Sequence, residues 1–299
     1  MFNEYENLPV EEYAKVVSTK VGVLLRLINT LHEDKIQMAS WKIWSEPLLF
    51  KMCYHISSLL QLCEGTILPY ETNGTPVMIF DEPTISVLFR TILENYLTFY
   101  YLFADDIEDA EKEFRSLVYR YCGSMQRTQF DINSLEAREK QKKEAEFVET
   151  LWKEIKESNF YQKLNERVRI DVKKGIKPRL FKSWKSLITE SGLRKDVYRN
   201  LYGYKSNYSH SEFISVLQIY QGKYGFKPKS IKGHYVLFLV HSLIGKTILE
   251  LNAFFPSIAE HFMQLNEDLK LEIFALNKHA RESAIVDQEN KPADVEAKK

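Results

Sequence analysis

From Asp81 to Phe103 the chain reads DEPTISVLFRTILENYLTFYYLF, apolar around nearly the whole circumference of a helix, with Arg90 and Glu94 in its middle. A helix apolar on all sides is a buried helix, and a charged pair inside one needs a partner or a purpose. Asp81 suits an N-cap, Pro83 the first turn and Phe80 a hydrophobic staple, so a helix is predicted to about Ala104. A second apolar helix is predicted over 231–254, stopped by Pro256. Helical spacing of Val16, Val17, Val21, Leu24, Leu25, Ile28 and Leu31 predicts a helix over 9–35. Others follow over 39–64, restarting at Pro47 with Gly65 as C-cap, and from Asp105 to about Phe130.

The stretch 134–164 is strongly charged, with few apolar positions, and predicts a long, mostly solvated helix or one arm of a helical hairpin that projects from the core. A short helix over 183–190 ends at Gly192, a helix from Lys195 runs through Gly203 to about Tyr220, and a last one covers 257–280. Residues 66–80 read as a loop with a brief extended piece at Val77–Phe80. Residues 165–180 read as basic and irregular, 221–230 as a connector and 283–299 as a disordered tail. The architecture expected is all-α, a multi-helix bundle of about eight to ten helices forming one domain over 1–282.

Composition narrows the partners. Lys plus Arg equals Asp plus Glu at 41 each, so no global field draws in nucleic acid or an anionic membrane, although a local basic patch stays open. Gly and Pro, at 11 and 9, are too scarce for a turn-rich β protein. The aromatic excess, 17 Tyr and 18 Phe, reads as core or interface and makes a homodimer an expectation. Cys53, Cys63 and Cys122 are odd in number and form no C-x-x-C pair, which predicts reduced thiols in the cytoplasm. The acidic start MFNEYENLPVEEY has no apolar signal core, and the apolar runs near 96–103 and 235–240 fall short of the roughly 20 residues that span a bilayer. No membrane partner is expected.

Chemistry concentrates in two places. Arg90 and Glu94 share one helix face, extended by Ser86 and Thr98. They read either as a structural ion pair or as an anion-binding Arg oriented by Glu94. The second group is Tyr198, Arg199, Asn200, Lys205, Tyr208, Ser209, His210 and Glu212. Arg199 and His210 are eleven residues apart, about three turns, and point the same way if the helix is continuous. His234 and His241 read as core or interface histidines, and Lys173, Lys174, Lys177, Arg179 and Lys182 as a solvated basic loop or as phosphate contacts. No metal-ligand spacing, P-loop, dinucleotide fingerprint or nucleophile elbow occurs, so neither metal nor cofactor is expected.

The run FDEPTISVLFRTILENYLTFYYLF (80–103), with YKSNYSHSEF (204–213) about a hundred residues later, resembles a bacterial all-helical family of uncharacterised function. The resemblance covers roughly 40–270. That family is similar in outline to HEPN (higher eukaryotes and prokaryotes nucleotide-binding) domains: helical bundles, often dimeric, many of them metal-independent ribonucleases of toxin or antiphage systems. Their signature is Arg, about four to six residues, then His. Here Lys205 stands at that distance before His210, and the literal match is Arg26 to His32 in the first helix. The resemblance implies RNA or a nucleotide as substrate, His210 as general acid or base, Arg90 and Arg199 on the phosphate, and Glu94 orienting Arg90. Lys205, Tyr208 and Asn200 would bind substrate. The alternative is a non-catalytic scaffold in which Arg90–Glu94 is a structural pair and 134–164 docks a protein partner.

Overall fold

The central apolar run forms α3 (Glu82–Phe99), capped by Asp81, whose Oδ1 accepts the Thr84 amide at 3.0 Å. In the computed structural model, which describes residues 5, 7–33, 38–68, 77–180, 182–209, 212–221, 231–255 and 258–281, this helix lies at the centre of an all-α bundle. Before it come α1 (Val10–Glu33) and α2 (Ser45–Cys63), the latter entered through a 3₁₀ turn at Lys42–Trp44. After α3 the backbone widens into a π turn at Tyr100–Ala104, and α4 (Asp109–Thr128) and α5 (Leu135–Glu157) form a helical hairpin. Short helices α6 (Asn159–Lys163), α7 (Glu166–Lys173) and α8 (Trp184–Glu190) follow. A second π turn, Lys195–Arg199, leads into α9 (Asn200–Ser209) and α10 (Phe213–Gln221). The long apolar α11 (Ile231–Phe254) and the short α12 (Ala259–Met263) and α13 (Glu267–Ala280) complete the described chain.

Two hydrophobic cores result. The main one joins α1, α2, α3, α11 and α13, with Phe89, Ile92, Leu97, Leu243 and Ile248 fully buried. The second lies inside the α4–α5 hairpin and α7, built from Phe114, Val118, Cys122, Leu151, Ile155 and Val172. The charged stretch 134–164 thus lays its few apolar positions against α4 and leaves the rest to solvent.

Several boundaries differ from the expectation. The described residues hold thirteen α-helices, because segments expected as continuous or irregular break into short pieces. Residues 165–180 contain α7, started by Asn165, whose side chain caps Val168 at 2.9 Å, and ended at Gly175 with φ of +70°. The helix expected from Asp105 starts at Asp109, since Asp105 is bound to Arg115 and Tyr100 instead. The extended piece expected at Val77–Phe80 is present as the strand Val77–Ile79, and it pairs antiparallel with Thr66–Leu68, which was read as loop. The last helix divides into α12 and α13. Within α11, Gly233–Phe254 is long and apolar enough by length and composition to cross a membrane, a longer window than the runs read from the sequence, and most of it is buried among the other helices. The tail 283–299 and the connector 222–230 lie outside the described residues.

Candidate functional site

Arg90 and Glu94 meet α9 across a narrow seam. Arg90 Nε donates to Glu94 Oε1 at 2.9 Å, and Arg90 Nη2 donates to the Tyr202 hydroxyl at 3.3 Å. The same hydroxyl donates to Glu94 Oε1 at 3.0 Å, closing a three-membered ring of contacts. The guanidinium also lies 5.2 Å from the centre of the Tyr202 ring. The side chains of Arg90 and Glu94 remain 19% and 26% exposed, so solvent reaches the pair. Burial works against the Arg90 charge, but Glu94 and Tyr202 outweigh it and its pKa rises. Burial and the Glu94 charge push the Tyr202 phenol up to about 12.

Near the α3 N-terminus, the buried Lys205 donates to Ser86 Oγ at 2.8 Å and stands 4.0 Å from Glu82. Its ammonium lies 5.5 Å and 5.7 Å from the ring centres of Tyr204 and Tyr208. Burial, followed by the Glu82 charge, raises the Tyr208 phenol. A cavity of about 150 Å³ opens beside Lys205, between α3, α9 and α11, lined by Phe89, Tyr204 and Tyr235 among others.

A third cation belongs to this region. The Arg179 guanidinium stacks on Trp184 at 3.7 Å from the ring centre, and among the described residues its side chain has neither hydrogen bond nor ion pair. Burial lowers its pKa, and the charge of Glu94 and the phenols of Tyr202, Tyr101 and Tyr119 only partly oppose this. Arg179 is therefore a desolvated cation within electrostatic reach of the Arg90–Glu94–Tyr202 ring.

Of the residues singled out by sequence, Arg90, Glu94 and Lys205 share the α3–α9 seam, and Tyr208 lies beside Lys205. Arg199 is exposed on the π turn and makes no hydrogen bond or ion pair to the seam. Asn200 is exposed and donates to the Asp196 carbonyl at 2.8 Å. His210 lies outside the described residues. Tyr202 and Arg179 complete the group. Tyr202 carried no signal beyond lying four residues after Tyr198, and Arg179 was one of five cations in a basic stretch. All three cysteines are free and buried, with the thiols of Cys53 and Cys63 pushed up to about 12 by burial. No cluster of three or more potential metal ligands occurs among the described residues.

Residues 52–223, from α2 to just past α10, match a protein-family model. The chain belongs to DUF5677, a family of unknown function. The DUF5677 match contains Arg90, Glu94, Arg179, Tyr202, Lys205 and His210, and it leaves α11 and α13 outside. No curated protein and no solved structure matches the chain.

Proposed function

We propose that the chain holds a phosphate-bearing substrate, RNA or a nucleotide, against the α3–α9 seam and processes it as a HEPN-like, metal-independent enzyme of bacterial defence or toxin systems. Arg179 carries this reading. A half-buried guanidinium without a carboxylate, within electrostatic reach of the Glu94 and Tyr202 that hold Arg90, is suited to a phosphate dianion or phosphodiester. Arg179 takes the phosphate-holding role expected of Arg199. Glu94 fixes the Arg90 fork, and Tyr202 holds both.

In the reaction on RNA, His210 takes the proton of a ribose 2′-hydroxyl. The 2′-oxygen bonds to phosphorus, the bond from phosphorus to the 5′-oxygen breaks, and water protonates the leaving oxygen. The products are a 2′,3′-cyclic phosphate and a 5′-hydroxyl, with Arg90 and Arg179 offsetting the charge of the phosphorane. A cytoplasmic location and a homodimer accompany this reading.

The test compares the full chain with His210→Ala and Arg179→Gln on single-stranded RNA, alongside circular dichroism and melting curves. General-base loss lowers cleavage by about 100-fold or more. Full activity in His210→Ala, or no cleavage by the unaltered chain, overturns the assignment.

A second reading is favoured by the closure of the Arg90–Glu94–Tyr202 ring, in which each of the three side chains already bonds to the other two. Here the ring is a tie between α3 and α9 in a non-catalytic module, and the exposed face of 134–164 docks a protein. Arg90→Ala then lowers the melting temperature in proportion to any loss of function, whereas under the first reading function falls further than stability.

A further inference from the structure

On α4, Arg115 and Arg120 are both desolvated, and they are treated differently. Arg115 donates to the Tyr101 carbonyl at 3.0 Å, to Asp105 at 2.6 Å and to Glu111 at 2.8 Å, so its charge is fully compensated. Arg120 has no hydrogen bond and no ion pair among the described residues, and its Nε is buried without an acceptor. Its guanidinium carbon lies 5.3 Å from the ring centre of Trp44 and 5.4 Å from that of Phe147. Burial lowers its pKa, and the charge of Glu154 offsets only part of that. Buried polar groups are nearly always paired, and an orphaned cation between two aromatic rings calls for an anion.

The surroundings match. Arg120 lines a cleft of about 480 Å³ between the 3₁₀ turn, α4, α5 and Pro178. That volume lies within the usual range for small-molecule sites. Trp44 and Phe147 line the cleft at 42% and 40% exposure, so part of each side chain is accessible to a planar group. The other charges there, Arg127 and Glu144, pair at 3.2 Å, so Arg120 leaves one uncompensated positive charge. Ser124 and Gln126 add hydrogen-bonding groups, and the space beside Gly123 is open.

We propose that this cleft binds a nucleotide, free or as a unit of an RNA strand, with its phosphate on Arg120 and its base against Trp44 and Phe147. Base stacking on aromatic rings and a bidentate guanidinium–phosphate contact are the two interactions the cleft supplies. The choice of a nucleotide follows the function proposed above. The cleft is lined by none of Arg90, Glu94, Arg179, Tyr202 and Lys205.

The test is calorimetric titration of the full chain with AMP, adenosine, inorganic phosphate and a short oligoadenylate. It is repeated with Arg120→Gln, Arg120→Lys and Trp44→Leu, each checked by its melting curve. AMP binds saturably and more tightly than adenosine or phosphate. Arg120→Gln weakens it by about tenfold or more, and Trp44→Leu also weakens it. Arg120→Lys, which keeps charge but not the fork, lies between. Tighter binding of oligoadenylate than AMP assigns the site to RNA, and the reverse assigns it to free nucleotide. Failure of AMP to saturate at millimolar concentration, equal binding of AMP and phosphate, or unchanged AMP binding in Arg120→Gln overturns the proposal. Since the titration reads no cleavage, and His210→Ala leaves it unchanged, the two proposals fail separately.

Discussion

His241 on α11 is fully buried in a polar knot. Its Nδ1 lies 3.4 Å from the Tyr13 hydroxyl, and its Nε2 lies 3.7 Å from Glu272 Oε1. Glu272 is already engaged by Tyr5 at 2.6 Å and by Lys20, and the half-buried His234 stacks near Tyr13. Burial first, and then the Lys20 charge, push the His241 pKa down to about 3. The imidazole is thus neutral beside Glu272 at ordinary pH, and the close approach is not an ion pair. Because the folded-state pKa is depressed, the unfolded chain binds this proton below about pH 6.5 while the folded chain does not. Stability is therefore greatest above pH 6.5 and falls from there towards pH 3, by about 1.4 kcal/mol per pH unit from this group. Urea unfolding between pH 7 and 5, where few carboxylates titrate, checks it. The acid-side slope is shallower in His241→Gln than in the unaltered chain, and equal slopes would refute the assignment. The sequence placed His241 in the core by its apolar neighbours, but the carboxylate and lysine that meet it come from α13 and α1 and left no local trace.

Among elements, the α11–α13 contact shows most clearly how backbone proximity is set. A Cβ at Gly245 would lie 2.6 Å from Leu276 Cβ and 3.1 Å from the Ile273 carbonyl oxygen, neither of which is the end of a flexible side chain. Gly245→Ala gains about 1 kcal/mol of helix propensity and loses about 1–3 kcal/mol to overpacking. With a clash this close the loss wins, and urea unfolding shows lower stability; a variant as stable as the parent would contradict the close packing. The α3–α9 seam shows the limit of reading elements from pattern. The cap at Asp81 and the buried character of α3 were local facts and legible. In α9 the segment NLYGYKSNYS has no apolar stripe, so nothing in it tells which face meets α3. The alignment of Arg199 with His210 presupposed a continuous helix. The π turn at Lys195–Arg199 shifts the phase, and Arg199 points into solvent. Arg179 sits in a segment without periodicity, and only the tertiary fold brings it to Glu94.

At the scale of the molecule, two cores share one helix. Arg115 and Tyr101 tie the base of α4 to the main core through the π turn, while Val118, Tyr121 and Cys122 farther along face α5 and α7. The sequence predicted a projecting charged segment, and the apolar residues that build its own core, Val148, Leu151 and Ile155, were visible among its few apolar positions. What was not visible is α7, which closes that core with Val168 and Val172 from a stretch too basic to read as a helix. The nucleotide cleft opens between these two bodies, with Trp44 from one side and Phe147 from the other. Such an arrangement predicts uneven stability. Leu151 is 1% exposed in the smaller core, and Leu151→Ala costs about 2–5 kcal/mol there. Since the apolar cluster that holds Leu151 contains no residue of α3 or α11, the cost stays in that unit and α3 and α11 keep their protection. Hydrogen exchange followed by mass spectrometry reads this directly: peptides from 135–173 exchange faster in the variant and those from 85–103 and 236–251 do not. A uniform rise across all of them would mean that the two cores open as one cooperative unit.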